Sequence, residues 1–158
     1  MRPGKWEGLL STWWLSAGWE RVRQDTFPMW AYTAASGERF EIPNGFVSNL
    51  GSIPFFLWPI LPRDGWKGPY ILHDYLYSHI IRCLSRWEAD YTLSEAIYTY
   101  TLEHTPENRY LKELYLLWAG SRRFLVFRGL RLFGWFAWWR NGRAKHKAIV
   151  RTMRAMRK

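Results

Sequence analysis

Apolar and polar positions change period several times along this chain, and each period predicts a different element. Trp6, Leu9, Leu10, Trp13 and Trp14 fall at helical spacing and predict a short amphipathic N-terminal helix with its ring-bearing face on the domain. Residues 29–33 and 39–42 are strand-like and flank Ala35-Ser36-Gly37-Glu38, a hairpin signal. Pro43-Asn44-Gly45 reads as a tight turn and residues 46–50 as a third short strand. Pro54, Pro59 and Pro62 are too many for a regular helix, so residues 52–62 are expected to wrap the domain as an apolar loop. Helical spacing then returns over about 68–84 and again from Ser85 to about His104. Thr105-Pro106 predicts a helix start, with Thr105 as N-cap and Pro106 in the first turn. That third helix is expected to end near Ala119 and lead into a basic aromatic helix over 121–139. Asn141-Gly142 is expected to stop it, with a last basic helix from Arg143.

These elements predict an α+β protein: a small antiparallel hairpin or sheet packed on a mainly helical domain, with a basic helical C-terminal extension. The economical division is one domain over 1–139 and a basic tail over 140–158. A chain of 158 residues is long enough to bury a core without disulfide or metal staples. Aromatic residues make up 19%, with 12 Trp, so a core or an interface is unusually ring-rich. The single cysteine, Cys83, excludes an intrachain disulfide and a cysteine-built zinc site. Its Leu/Ile surroundings suggest a buried, inert thiol.

Charge changes the picture most. Residues 1–113 hold 11 Lys/Arg against all 13 Asp/Glu, a net −2, whereas 114–158 hold the other 12 Lys/Arg and no acid, a net +12. Such a block calls for an anionic counterpart: nucleic acid, anionic membrane headgroups or an acidic protein surface. No secretory pattern and no spanning helix are expected, because Arg122, Arg123, Arg128 and Arg131 interrupt the most apolar C-terminal stretch.

The chemistry-bearing residues concentrate in the middle. Arg86, Asp90, Leu93, Ile97 and Tyr100 are spaced 4, 3, 4 and 3 apart, which places them on one helical face and draws Arg86 and Asp90 inward. His73, Tyr77, Ile80 and Leu84 form a stripe on the preceding helix, with Asp74 beside it. An Arg86 that bridges Asp74 and Asp90, with His73 close by, would satisfy all four groups. This cluster is either a charge-paired network that fixes helix packing or a polar site with His73 as general base and the carboxylates orienting it. Ser48, Asn49 and Ser52 would line the rim of such a site. His73-Asp74 invites comparison with metal-dependent HD phosphohydrolases, but no His precedes His73, and Ser52 is in no G-x-S-x-G setting. No metal and no cofactor are expected.

Phe40 through Pro54 (with Asn49 and Ser52), His73-Asp74-Tyr75-Leu76-Tyr77, and Arg86 with Ala89-Asp90 together resemble a family of tailed-phage and prophage proteins known as DUF1353. Its pattern is roughly VPxGFxTDLASVP, HDxLY and RxxAD. Arg131-Leu132-Phe133-Gly134-Trp135 echoes a later RLFGW, so the resemblance spans about 40–135. It implies a phage-related origin and no particular activity. The usual Asp and Ala of the first motif are Asn49 and Gly51 here, which favours a structural or binding role.

Arg122, Arg123, Arg128, Arg131 and Arg140 are interleaved with Phe124, Phe127, Phe133, Trp135, Phe136, Trp138 and Trp139. Nucleic-acid grooves, interfacial helices and protein hot spots all use this mixture. The expected function is therefore a phage accessory or virion-associated binding and assembly module. Its partner would be a phage structural protein or a second copy, met in the host cytoplasm or the virion. The alternatives are a small hydrolase using His73, Asp74 and Asp90, and a protein binding nucleic acid or an anionic membrane surface. The C-terminal rings should divide between the domain and the outside, because they advance around the helix by 100° per residue.

Overall fold

The computed structural model describes residues 1–8, 10–16, 19–23, 30–48, 50, 65–78 and 84–155; within strands and helices, the side chains of 13–16, 19–23, 78, 137 and 140–155 are left out. Strands β1 (Lys5–Glu7), β2 (Ser11–Ser16), β3 (Trp19–Arg23), β4 (Ala31–Thr33), β5 (Arg39–Glu41) and β6 (Val47–Ser48) precede helices α1 (Lys67–Ser78), α2 (Arg86–Glu103) and α3 (Arg109–Ala155). The fold is α+β. One antiparallel sheet has the order β1-β4-β5 and a second has the order β2-β3-β6. The predicted loop over 52–62, Asn49, Ser52, Pro54 and Cys83 lie outside the described residues.

The hairpin forms where predicted, with Tyr32 paired to Phe40 and Gly37 turning the chain at φ 88°. The third strand also forms, but β6 pairs with β3, not with the hairpin. The N-terminal helix does not form. Trp6 pairs with Tyr32 across the β1-β4 ladder and stacks on Trp30 with ring centroids 5.0 Å apart and planes 8° off parallel. Gly8 at φ 78° breaks the chain between β1 and β2, and no helix carries that angle. The tryptophan spacing fitted a helix only because strand–turn–strand placed rings at similar intervals.

Two cores meet on α2. Trp30, Tyr32, Phe40, Ile42 and Leu50 pack with Ile71, Leu72 and Leu76 of α1 and with Ala89 and Ala96 of α2. Trp66 and Tyr70 pack with Leu93 and Ile97 of α2 and with Ala119 and Val126 of α3. Helix α2 starts with a full capping box: the Ser85 side chain accepts from the Glu88 N–H while the Glu88 carboxylate accepts from the Ser85 N–H. Those bonds to Ser85 hold the exposed Glu88 carboxyl below its usual range. Though buried on several sides, α2 tolerates Thr99 and Thr101 because their hydroxyls donate to the carbonyls of Glu95 and Ile97 one turn back.

Helix α3 departs from expectation at both ends. It begins at Arg109 rather than Pro106. The Asn108 side chain accepts from the Tyr110 and Leu111 N–H groups, a capping role, while the Thr105 hydroxyl donates back to Thr101 and closes α2. Then α3 runs unbroken for 47 residues, so three expected helices are one, and it passes the 139/140 boundary without interruption. Asn141-Gly142 does not stop it. One internal glycine costs a helix only about 1 kcal/mol, and the flanking Arg, Ala and Lys are strong helix formers.

Candidate functional site

Asp90 is fully buried, and three helices converge on it. The i,i+4 stripe of α2 puts it on the inward face with Leu93 and Ile97, as the spacing predicts. From α1, one turn apart, Tyr77 donates its hydroxyl to Asp90 Oδ1 at 2.5 Å and His73 Nε2 reaches the same oxygen at 3.2 Å. From α3, Arg131 donates to Asp90 Oδ2 at 3.1 Å. Arg86 Nε lies 3.5 Å from Oδ2 as a charge contact without hydrogen-bond geometry, and its Nη2 donates to the α3 carbonyls of Leu130 and Arg131 at 3.2 and 2.6 Å.

Burial is the largest influence on Asp90 and raises its pKa. The hydrogen bonds from His73 and Tyr77, attraction to His73 and the bond from Arg131 together outweigh it and hold the carboxyl below its ordinary value. An ionised carboxylate only accepts, so His73 presents Nε2–H to it. Tyr77 is pushed the other way, first by burial and then by its bond to Asp90, so its phenol stays a donor. Both carboxylate oxygens are thereby committed to side chains from three helices.

Asp74 is not part of this cluster as expected: the Ser48 hydroxyl of β6 donates to it at 2.6 Å, while Arg86 turns to Asp90 and α3. Two residues assigned to an outward binding face turn inward instead. Arg131 belongs to the Asp90 cluster, and Trp138 packs edge-on against Tyr77 with centroids 5.0 Å apart. Gly134, between them, lies where an added Cβ would sit 3.1 Å from the Tyr77 hydroxyl. Among the described residues, no group of three His, Cys, Asp or Glu side chains could hold a metal ion.

A second buried polar network escaped the sequence reading. Glu95, buried on α2, accepts from the Tyr32 hydroxyl at 2.8 Å and the Ala35 N–H at 2.9 Å, and Thr99 links Tyr32 to the Gly4 N–H. Glu95 lies off the Arg86–Tyr100 stripe, and no spacing connects it to the hairpin, so the sequence carries no signal for it.

The outer face of α3 holds the other candidate surface. Leu111, Leu114, Trp118, Ser121, Leu125, Arg128, Leu132, Trp135 and Trp139 alternate three and four residues apart, and every one is exposed. That is the a/d seam of a seven-residue repeat. Ala119, Val126 and Gly134, which are buried, lie on the opposite side. Arg122 sits over Trp118 at 3.8 Å and Arg128 over Phe124 at 5.2 Å. Arg123 reaches inward toward Tyr98 and Met1, and the Arg140 side chain lies outside the described residues. The rings do divide: Phe124, Phe133, Trp135, Phe136 and Trp139 are exposed, while Phe127 packs on Trp87 and Trp138 on Tyr77. No described helix is long and apolar enough to cross a membrane.

An α+β domain in which three helices close on one buried carboxylate is the class these observations define. The model of the family described as "Protein of unknown function (DUF1353)" matches residues 26–109, just over half of the chain, and the chain belongs to that family. The match takes in the hairpin, β6, α1 and α2, and with them His73, Tyr77, Arg86 and Asp90. It stops at Arg109, so Arg131 through Trp135 lie beyond it. No curated protein and no solved structure matches the chain.

Proposed function

We propose that this protein is a phage-encoded accessory or virion-associated binding module that docks through the outer face of α3. The observation that carries this is the seven-residue repeat from Leu111 to Trp139, Leu or Trp at seven of its nine positions with Ser121 and Arg128 at the other two, and exposed throughout. An apolar seam of that length facing water is costly and marks a contact surface. The partner is a helix of another protein with an apolar stripe and acidic flanks. Positions flanking the seam include Arg122, Arg143 and Lys145, and no Asp or Glu occurs after Glu113. A second copy would set cation against cation, whereas acidic flanks complete interhelical ion pairs. The motif order resembling tailed-phage and prophage proteins supports a phage setting. The Asp90 cluster supports the same reading from within: it anchors α3 to α1 and α2 while leaving the seam outward.

The probe is a synthetic helical peptide with Leu at its a and d positions and Glu at e and g. Calorimetry should show saturable binding to the wild-type protein, weakened roughly a hundredfold by Leu125→Asp with Leu132→Asp. Both sites are exposed, so thermal stability should barely move. Absence of peptide binding would overturn the proposal. So would dimers in ultracentrifugation that the double variant dissolves, or tight binding to DNA or anionic vesicles with the steep salt dependence of phosphate contacts.

A further inference from the structure

A cavity of about 480 Å³ lies between the β4-β5 turn and the first turns of α2, with Arg2, Glu38, Trp87, Glu88, Tyr91 and Glu95 in its wall; Trp87 also packs on Phe127 and under Arg131 of α3. That volume falls within the range of small-molecule sites. Its wall carries three carboxylates against one cation, and two of its rings are exposed.

Glu95 is the informative member. It is only 4% exposed, yet no cationic side chain among the described residues pairs with it, and both bonds it accepts fall on Oε1. Among the described residues no hydrogen bond reaches Glu95 Oε2, and Glu95 lines the cavity. A carboxylate withdrawn from water without a counter-charge is costly. Here the Tyr32 hydroxyl and the Ala35 N–H hold it in place, with one oxygen left over.

We propose that this cavity binds an organic cation, an alkylguanidinium or alkylammonium group that donates to Glu95 Oε2 and lies against Trp87 and Tyr91. The chemistry is that of a cation site: N–H donors for the free oxygen, positive charge for the acidic wall, and aromatic faces that attract a weakly hydrated cation. Glu88, exposed in the same wall, adds negative potential. A neutral or anionic ligand gains none of this.

Agmatine and a capped Gly-Arg-Gly peptide serve as probes, with N-butylurea as a neutral probe that keeps the four-carbon chain and neither charge of agmatine, each titrated into the full chain by heteronuclear NMR and calorimetry. Agmatine should shift the amides of Ala35, Tyr91 and Glu95 saturably, and N-butylurea should bind about tenfold or more weakly. Glu95→Gln keeps an oxygen for Tyr32 and Ala35 and should weaken agmatine by a similar factor. If that variant fails to fold, the comparison of agmatine with N-butylurea on the wild-type protein still decides. Tighter binding of the peptide than of agmatine assigns the site to an arginine side chain of a polypeptide, and the reverse assigns it to a free amine. Equal binding of N-butylurea, shifts confined to α3, or no saturable shift with either cation would overturn the proposal.

Discussion

At the residue scale, one atom pair organises the interior: the two oxygens of Asp90. Tyr77 and His73 occupy one and Arg131 the other, with Arg86 beside it. Replacing Asp90 strands two guanidinium groups in partly buried positions, so Asp90→Asn should cost about 3 kcal/mol in urea denaturation. A retained midpoint would mean that the cluster does not hold the helices. The pH dependence follows from the lowered Asp90 pKa. Its contribution is fully present above the unfolded value, about 3.9, and is lost as pH falls through the lower folded value. Thermal melts of the wild type should therefore fall below about pH 4 with a component that Asp90→Asn lacks.

At the scale of the element, α3 tests the difference between an internal glycine that is merely tolerated and one that is required. A Cβ at Gly120 or Gly129 would meet nothing within 4 Å. Gly120→Ala and Gly129→Ala should each stabilise the protein by about 0.5–1 kcal/mol, the helix-propensity difference. At Gly134 the same Cβ would sit 3.1 Å from a Tyr77 hydroxyl that is itself held 2.5 Å from Asp90 and so cannot retreat without lengthening that bond. Gly134→Ala should destabilise by about 1 kcal/mol despite the better helix former. Denaturation of the three variants side by side checks this, because the contrast would vanish if Gly134 did not face the Tyr77 hydroxyl.

At the scale of the molecule, tyrosine ionisation reports whether the two cores are closed. Tyr32 and Tyr77 pack in one core and Tyr70 in the other. All three phenols are raised above their ordinary value, with burial the leading cause in each. A raised folded pKa contributes stability that is present below the unfolded value, about 10, and is lost as pH rises past it. In an alkaline titration followed by tyrosinate absorbance, at least these three of the nine tyrosines should stay silent until the chain unfolds, and then appear together. Smooth titration of all nine before loss of helical circular dichroism would contradict the packing described here.

The sequence by itself determined the hairpin, the two middle helices and the inward face of α2. Each is signalled locally, by turn residues, by the Ser85–Glu88 box and by the 4-3-4-3 spacing that buries Asp90. It also put His73 with Tyr77 and Arg86 with Asp90, since residues one turn apart on a helix share a face, but it offered Asp74 as the partner where the structure brings Tyr77 to Asp90. Tertiary structure alone decided the rest. The tryptophans near the N-terminus became strands because Trp6 found Trp30 and Tyr32 across a ladder, and a spacing of three or four residues cannot reveal a partner so far along the chain. Arg131 became an interior residue, and Glu95 a buried acceptor for Tyr32 and Ala35, because distant segments met there. The unbroken run of α3 past Gly142, and the outward seam it leaves, depend on which side of the helix α2 covers. Local pattern fixes the faces an element has, and only packing fixes which of them is closed.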